Sequence, residues 1–148
     1  MIQRVTAAEM PQIRRVLEWA ELPLDGLDDE RVTLFIIQRN GRLQAVVGYE
    51  DYAPYTLIRS LAVSLECRRQ GHGRRLLHFV LGEVARQGFD EAYGLTTSIP
   101  LWLGRLGFCE IARGDVPVAL LASAEFQGAC PDSAGVFRIA RAQLASHA

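Results

Sequence analysis

The sequence predicts an α/β protein in which strands and helices form a single domain over residues 1–148. β-rich runs and amphipathic helical patterns alternate in the order β-α-β-β-β-α-β-α-β-β. Asn40-Gly41, a strong hairpin signal, joins two of the β-rich runs. The chain has no repeat and no linker, and its 49% hydrophobic content is enough to build one core.

In the first half, periodicity and capping signals define the elements. Residues 2–5 predict a strand, and the capping-box pattern Thr6-Ala7-Ala8-Glu9 begins a helix that ends before Pro23. A polar loop over 25–30 precedes the hairpin strands 33–39 and 43–49. A further strand covers 56–63.

The second half begins with a helix whose apolar residues, from Leu76 to Ala85, share one stripe and which Gly88 closes. A strand over 92–96 and a short helix over 100–106, ending at Gly107, follow. Strands over 108–112 and 135–140 complete the chain. Between them lies an irregular stretch, 114–132, with one short helix near 119–122.

A glycine-rich basic turn, Arg68-Arg69-Gln70-Gly71-His72-Gly73-Arg74-Arg75, lies between a predicted strand and a predicted helix. Glycines allow a tight turn with N–H groups pointing one way, and the helix N-terminus and the arginines add positive charge. This favours a ligand with a pyrophosphate. The turn lacks the Lys-Ser/Thr pair of a P-loop, and Leu76 replaces the third glycine of a dinucleotide fingerprint.

The pattern Arg68-x-x-Gly71-x-Gly73 after the strand Leu61-Ala62-Val63 resembles the acyl-CoA loop of the GNAT superfamily of N-acetyltransferases. The later segment Leu101-Trp102-Leu103-Gly104-Arg105-Leu106-Gly107-Phe108 resembles that family's Phe-Tyr-x-x-Leu-Gly-Phe. The resemblance covers about residues 1–112. It implies a mixed, strongly twisted central sheet with helices on both faces and two strands splayed around the acyl-CoA site.

The tail is similar to a bacterial branch of this family found in arsenic-resistance operons. The similar segments are Val116-Pro117, Ser123-Ala124-Glu125-Phe126 and Cys130-Pro131-Asp132-Ser133-Ala134. This second resemblance implies, as acceptor, an amino acid analogue of the phosphinothricin or arsinothricin type.

The family resemblance implies acetyl-CoA as the cofactor and assigns its contacts by position. Backbone groups of the strand before the loop would bind pantetheine, the loop would bind the pyrophosphate, and Thr96, at a family Asn position, would hydrogen-bond the pantetheine. His72 could contact a phosphate or simply fill the loop, and the two interpretations are equally good. The alternative to phosphate contact for Arg74 and Arg75 is that they are solvated arginines on the helix surface. The predicted cofactor residues are Leu61, Ala62, Val63, Arg68, Arg69, Gln70, Gly71, His72, Gly73, Arg74 and Thr96.

Glu50 is the predicted general base, with Asp51 behind it, because it ends a strand that in this fold opens toward the acceptor. The alternative is a solvated carboxylate at a strand end. Leu103 stands where the family has the Tyr that protonates the departing thiolate. Either the thiolate leaves without a dedicated acid or another group serves; Thr97 and Ser98 are nearest, and Tyr93 is further off.

Tyr52 and Arg59 are the predicted substrate-binding residues; Glu21, Tyr55 and the segment 130–133 complete the candidate pocket. If Arg59 points into the acceptor side, it can clamp a carboxylate, a phosphinate or an arsenic oxyanion. An arginine on the outer face of the sheet is the alternative.

Charge and cysteine content limit the kinds of partner, metal site and cellular location that the sequence allows. The net charge of −1 argues against nucleic acid and membrane surfaces as partners. The cysteines 67, 109 and 130 have no metal-ligand spacing, so no metal is expected, and Cys109 is expected to be a buried small hydrophobe. Trp19 and Trp102 suit core or pocket-wall positions. Without a signal peptide or an apolar span, a cytoplasmic location is expected.

These observations predict a bacterial acetyl-CoA-dependent N-acetyltransferase, acting on a small amino compound by direct transfer in a ternary complex. The alternative is a catalytically silent acyl-CoA-binding sensor, which the replacement of the usual Tyr by Leu103 favours. A nucleotide-binding protein of another kind is a weaker third hypothesis. A homodimer through an exposed sheet edge stays open.

Overall fold

The computed structural model describes residues 1–96 and 102–148. Within them, seven strands form one mixed sheet with the order β1-β2-β3-β4-β5-β7-β6. Only the β4–β5 pair of this sheet is parallel. The strands are β1 Ile2–Arg4, β2 Val32–Arg39, β3 Arg42–Tyr52, β4 Tyr55–Val63, β5 Glu91–Thr96, β6 Phe108–Ile111 and β7 Gly135–Ile139.

Four α-helices are present in the same part of the chain: α1 Met10–Trp19, α2 His72–Arg86, α3 Trp102–Arg105 and α4 Arg141–Ala145. The predicted capping box is formed, since the backbone N–H of Thr6 donates to Glu9 at 2.9 Å just before α1. None of the described helices combines the length and apolar character needed to cross a bilayer.

Helices cover both faces of the sheet, as the resemblance implied. Successive residues of β2 alternate between two cores, because side chains on a strand point to opposite faces. Phe35 and Ile37 pack with the apolar stripe of α2, which includes Leu76 and Val80. On the other face, Leu34 and Ile36 pack with Ile13 and Leu17 of α1.

The strands β4 and β5 pair over a short distance only. Their parallel register runs from Tyr55↔Glu91 to Ile58↔Gly94, and both strands continue beyond the last pair. Beyond that pair, β4 continues to pair with β3 and β5 with β7 but not with each other, and residues 59–61 and 95–96 border the gap between them. This is the predicted splayed arrangement.

A β-bulge at the same place bends β4. Its register against β3 shifts between Val46↔Ala62 and Gly48↔Arg59, which leaves two β4 residues opposite one on β3. Ser60, one of the two, has a positive φ of 62°. The bulge thus turns β4 at the point where it leaves β5.

Most strand predictions agree with the structure to within one residue at each end, although β3 extends three residues further, to Tyr52. Two burial predictions are wrong. Cys109 is exposed, because β6 is one of the two edge strands of the described sheet and Phe108 takes the buried position beside it. Trp19 is 61% exposed, because it ends α1 beyond the face that Ile13 and Leu17 bury. The sequence also gave no signal for α4.

Candidate active site

The glycine-rich turn forms the entrance to α2, as predicted. Gly71 is the N-cap of α2 with a left-handed φ of 79°, and Arg69 also has a positive φ, of 66°. The first N–H groups of a helix have no partner inside the helix, so the start of α2 offers donors to an anion. A Cβ added to Gly71 would meet nothing within 4 Å, so the glycine is needed for its backbone conformation.

Arginine side chains surround this turn at the surface. Arg68, Arg69, Arg74 and Arg75 are all exposed. The guanidinium of Arg68 lies 5.7 Å from the ring centre of Trp19, and its Nε donates to the backbone oxygen of Val63 at 3.3 Å. The turn therefore joins backbone donors to a concentrated positive charge.

A cavity of about 510 Å³ occupies the gap between β4 and β5. One part of its wall comes from the sheet and its helices and includes Leu61, Leu77, Gly94, Leu95, Thr96 and Leu103. The other part, here called the acceptor chamber, is formed by Ala20, Glu21, Leu22, Pro23, Arg59, Glu125, Ala129, Cys130, Pro131 and Ala134. The cavity thus connects the predicted pantetheine strand to a chamber lined in part by residues 125–134.

Three buried charged residues, here called the charge cluster, lie beside this chamber. Arg59 Nη1 donates to Glu50 Oε2 at 2.7 Å, and Arg59 Nη2 lies 3.8 Å from Glu125 Oε2. The Arg59 side chain is fully buried, and each of the two glutamate side chains is 5% exposed. Two carboxylates therefore share one guanidinium out of contact with bulk water.

The neighbours of the charge cluster fix its geometry. The Tyr52 hydroxyl donates to Glu50 Oε1 at 2.6 Å, so each oxygen of Glu50 has a close donor. Arg59 also donates through Nε to the Ser60 hydroxyl at 3.0 Å and through Nη2 to the backbone oxygen of Pro23 at 3.3 Å. With a partner at every nitrogen, Arg59 is held firmly in place.

Burial perturbs several groups around the chamber. Burial raises the pKa of the Glu125 carboxyl, which the Arg59 charge offsets only in part. Burial, together with the Glu125 carboxylate, raises the pKa of the Cys130 thiol to about 12. Burial and the hydrogen bond to Glu50 raise the pKa of Tyr52 to about 12. Cys130 and Tyr52 are therefore neutral donors near neutral pH.

The structure brings some of the predicted site residues to the cavity and places others elsewhere. Leu61, Thr96 and Arg59 line it, and so do Glu21 and Cys130. Glu50 is hydrogen-bonded to Arg59 but does not itself line the cavity. Tyr52 does not line the cavity either; it borders a second, shallower recess together with Arg31. Tyr55 packs edge-on against the ring of Tyr93.

The candidates for the general acid differ in position. Leu103 lines the cavity, so a leucine occupies the wall where the family has its tyrosine. The Tyr93 side chain is 1% exposed and donates to Glu91 at 3.1 Å, away from the cavity. Thr97 and Ser98 lie outside the described residues.

Sequence reasoning missed Glu125 as a site residue. A signal was present, because Glu125 is the only charged residue between Asp115 and Asp132. A lone charge in a largely apolar stretch is seldom buried without a partner. Its partner, Arg59, is distant in sequence, so the fold alone reveals the contact.

Comparison with known proteins identifies the family. A family model described as "Acetyltransferase (GNAT) family" matches residues 3–108. The chain belongs to the GNAT family. This is the acetyltransferase family that the glycine-rich loop predicted, and the match includes that loop. Compared by sequence alone, it has no significant match among curated proteins.

Solved structures share the GNAT fold at low sequence identity. N-acetylglutamate synthase from Neisseria gonorrhoeae, complexed with coenzyme A and N-acetyl-glutamate, has 18% identity and a TM-score of 0.76 over 95% of this chain and 35% of its own. This chain thus spans about a third of that synthase. A Mycobacterium tuberculosis protein in complex with CoA has 14% identity and a TM-score of 0.78, covering 95% of this chain and 98% of that chain.

The ribosomal-protein-S18-alanine N-acetyltransferase from Escherichia coli is a third similar structure. It has 16% identity and a TM-score of 0.71, covering 95% of this chain and 93% of that chain. The first of these proteins is complexed with an acetylated amino acid, whereas the third is an acetyltransferase named for a ribosomal protein. Such similarity shows the fold, and the acceptor must be argued from this chain's own site.

Proposed function

We propose that this GNAT enzyme transfers the acetyl group of acetyl-CoA directly to the amino group of a small compound, within a ternary complex. The observation that carries the proposal is the single cavity that joins the gap between β4 and β5 to the acceptor chamber. A thioester in the gap would lie next to an amine in the chamber, which is the arrangement that direct transfer needs.

Acetyl-CoA would be held by backbone groups at two places. The loop from Arg69 to Arg74 and the start of α2 would bind the pyrophosphate, with Arg68 as a charged partner. The β4 segment Leu61 to Val63 would pair with pantetheine, since it lies beyond the last β4–β5 pair. Thr96 lines the same gap.

The acceptor is proposed to be a small amine. Residues of the tail and of the segment after α1 line the chamber, and the cavity of about 510 Å³ to which it belongs has room for a compact molecule. The neighbouring N-acetylglutamate synthase supports an amino acid. The predicted phosphinothricin-type or arsinothricin-type analogue carries an anionic group. Arg59, in the chamber wall, would have to bind that group through its guanidinium.

Glu50 was predicted as the base, and its direct action would need a hydrogen bond to the amine. Its carboxylate is bound by Arg59 and Tyr52 behind the chamber wall. If Glu50 takes the amine proton, Glu50→Gln should lower kcat by about 100-fold or more with unchanged CoA affinity. An unchanged kcat would remove Glu50 from the mechanism.

The departing thiolate needs no dedicated acid in this proposal. Thiols have an ordinary pKa of about 8.5, so a thiolate is an acceptable leaving group near neutral pH. This accounts for an apolar Leu103 at the position where the family has its tyrosine.

The test is release of CoA thiol from acetyl-CoA, followed with a chromogenic thiol reagent against amino acids, phosphinate analogues and plain alkylamines. A blank without acetyl-CoA is required because the exposed Cys109 also reacts. Release that depends on one amine supports the proposal. Silence across the panel, with CoA still bound by calorimetry, would favour the silent acyl-CoA-binding sensor.

Preferential binding of ATP over CoA in the same calorimetry would instead revive the third hypothesis of another nucleotide-binding protein. The bacterial cytoplasm stays the predicted place of action. A homodimer through an edge strand, β1 or β6, stays a prediction that sedimentation would test.

A further inference from the structure

Glu125 belongs to the turn Glu125–Ala129 between β6 and β7, here called the Glu125 turn. The buried residue Ser123, which is 1% exposed, fixes the start of this turn. Its hydroxyl oxygen accepts a hydrogen bond from the backbone N–H of Glu125 at 3.2 Å. The carboxylate is thereby held inside the protein, with 5% of the side chain exposed, and it lines the acceptor chamber.

The two glutamates of the charge cluster differ in how their oxygens are used. Both oxygens of Glu50 accept close hydrogen bonds, at 2.6 Å from Tyr52 and at 2.7 Å from Arg59, and Glu50 does not line the cavity. Glu125 faces the cavity, and its separation of 3.8 Å from Arg59 exceeds hydrogen-bond length. Glu125 therefore keeps acceptor capacity toward a molecule in the chamber.

We propose that Glu125 is the catalytic carboxylate that binds the acceptor as an ammonium ion and removes its proton, while Glu50 is a positioning residue that holds Arg59. This inference rests on the proposed acetyl transfer and names the residue that meets its acceptor. The acceptor class is a primary amine presented as a cation. An anionic group on the acceptor is not required, because Arg59 already has Glu50, Ser60 and Pro23 as partners.

The proposed step balances as follows. The ammonium gives one proton to the Glu125 carboxylate, and its nitrogen lone pair forms a bond to the thioester carbonyl carbon. The carbon–sulfur bond breaks, and its electron pair leaves on the CoA sulfur. The second nitrogen proton passes to that sulfur, so the products are the amide, CoA thiol and protonated Glu125, which then returns its proton to water.

The surroundings of Glu125 suit this role. Burial raises the pKa of its carboxyl, and a base is most effective when its pKa lies nearer the working pH. Burial and the nearby Glu125 carboxylate raise the pKa of the Cys130 thiol to about 12, so this thiol stays protonated beside Glu125 and does not compete as a nucleophile. The charged and titratable groups that face Glu125 are Arg59, Glu50, Asp25 and Cys130.

The kinetic test uses n-butylamine as the acceptor probe, with thiol release measured from pH 6 to 10. Alkylamines have a pKa of about 10, so the probe is mostly cationic over this range. Wild-type kcat/KM should be flat between the pKa of Glu125 and that of the amine. Glu125→Gln should lower kcat/KM at pH 7 by about 100-fold and make it rise tenfold per pH unit, because only neutral amine then reacts.

Two variants provide the comparison. Glu50→Gln should keep the flat pH profile at a reduced rate, since it disturbs only the position of Arg59. Glu18→Gln, on the exposed face of α1, should match the wild type. A Glu125→Gln profile parallel to the wild type, or a sloping profile in Glu50→Gln instead, would overturn the assignment.

A binding measurement separates this inference from the proposed function. Calorimetry of n-butylammonium with the CoA-loaded protein should show at least tenfold weaker binding to Glu125→Gln than to the wild type, at equal CoA affinity. A wild type that binds the amine in this way but releases no thiol would count against acetyl transfer and not against Glu125 as the ammonium site. A difference below twofold would overturn the role of Glu125.

Discussion

At the scale of single residues, the decisive feature is one buried guanidinium shared by two carboxylates. Removing charges from water is costly, and their mutual attraction offsets this only when hydrogen bonds are complete. Arg59 meets that condition through Glu50, Ser60 and Pro23, while Glu125 stays at 3.8 Å. The cluster thus holds one carboxylate tightly and leaves the other available.

Replacing the central cation should destabilise the fold strongly. Arg59→Met leaves Glu50 and Glu125 facing each other without a counter-charge, so we expect the free energy of unfolding to fall by about 3–5 kcal/mol near neutral pH. Urea denaturation would measure it. Arg86→Met, which breaks an exposed pair with Glu83, should cost less than about 1 kcal/mol, and equal losses in the two variants would contradict the account.

The Glu125 carboxyl should also leave a signature in the pH dependence of stability. Its pKa in the folded protein is raised above the ordinary 4.5, so between the two values the folded state holds more protons than the unfolded state. Stability contributed by this group is therefore present at low pH and lost as pH rises through that window. Glu125→Gln should remove this loss, and wild-type and variant unfolding curves that stay parallel across pH would refute it.

At the scale of elements, two local irregularities shape the cofactor side of the site. The bulge at Ser60 turns β4 away from β5, and the left-handed residues Arg69 and Gly71 turn the chain into α2. Together they leave one edge of β4 without a strand partner beyond Ile58 and form the left-handed turn that begins α2. Both depend on backbone conformations that few residues adopt without cost.

A substitution in the turn tests this dependence. Gly71→Ala has free space for its methyl group but a φ of 79°, so strain alone should lower the free energy of unfolding by about 1–2 kcal/mol. CoA affinity should fall as well, because relaxation of the turn moves its N–H donors. Gly114→Ala, equally unhindered and without a positive φ, is the control. Urea denaturation and CoA calorimetry would give both quantities, and identical results for the two variants would contradict the explanation.

At the scale of the whole molecule, the sheet continues on both sides of the gap between β4 and β5. Leu77 of α2 lines one part of this gap, and residues from Glu125 to Ala134 line another. A ligand in the gap would contact β4, β5 and α2 at once, so its binding energy should add to the stability of the entire domain.

Thermal unfolding should therefore depend on CoA concentration. At about 100 times its dissociation constant, CoA should add about 2.7 kcal/mol to the free energy of unfolding. Pantetheine at the same concentration should stabilise much less, because it lacks the phosphates that the loop of α2 is proposed to bind. Calorimetric scans with the two ligands would measure this, and equal shifts would rule out the loop as a phosphate site.

Much of the molecule could be read from local sequence. The strand and helix periodicities, the hairpin at Asn40-Gly41 and the capping box at Thr6 each depend on neighbouring residues. The glycine-rich loop is equally local, since Gly71 and the start of α2 are adjacent in sequence. The family and its cofactor followed from this loop and were confirmed.

The tertiary structure decided which side chains meet. Glu50, Arg59 and Glu125 come from two adjacent strands and a distant turn, and no local pattern records that they share one buried cluster. The tertiary structure also decided that Cys109 and Trp19 are solvent-exposed, because the burial of an apolar side chain depends on which elements pack over it. The sequence by itself determined most of the elements and the glycine-rich turn through short-range physics, and only the fold decided which charged side chains meet beside the cavity.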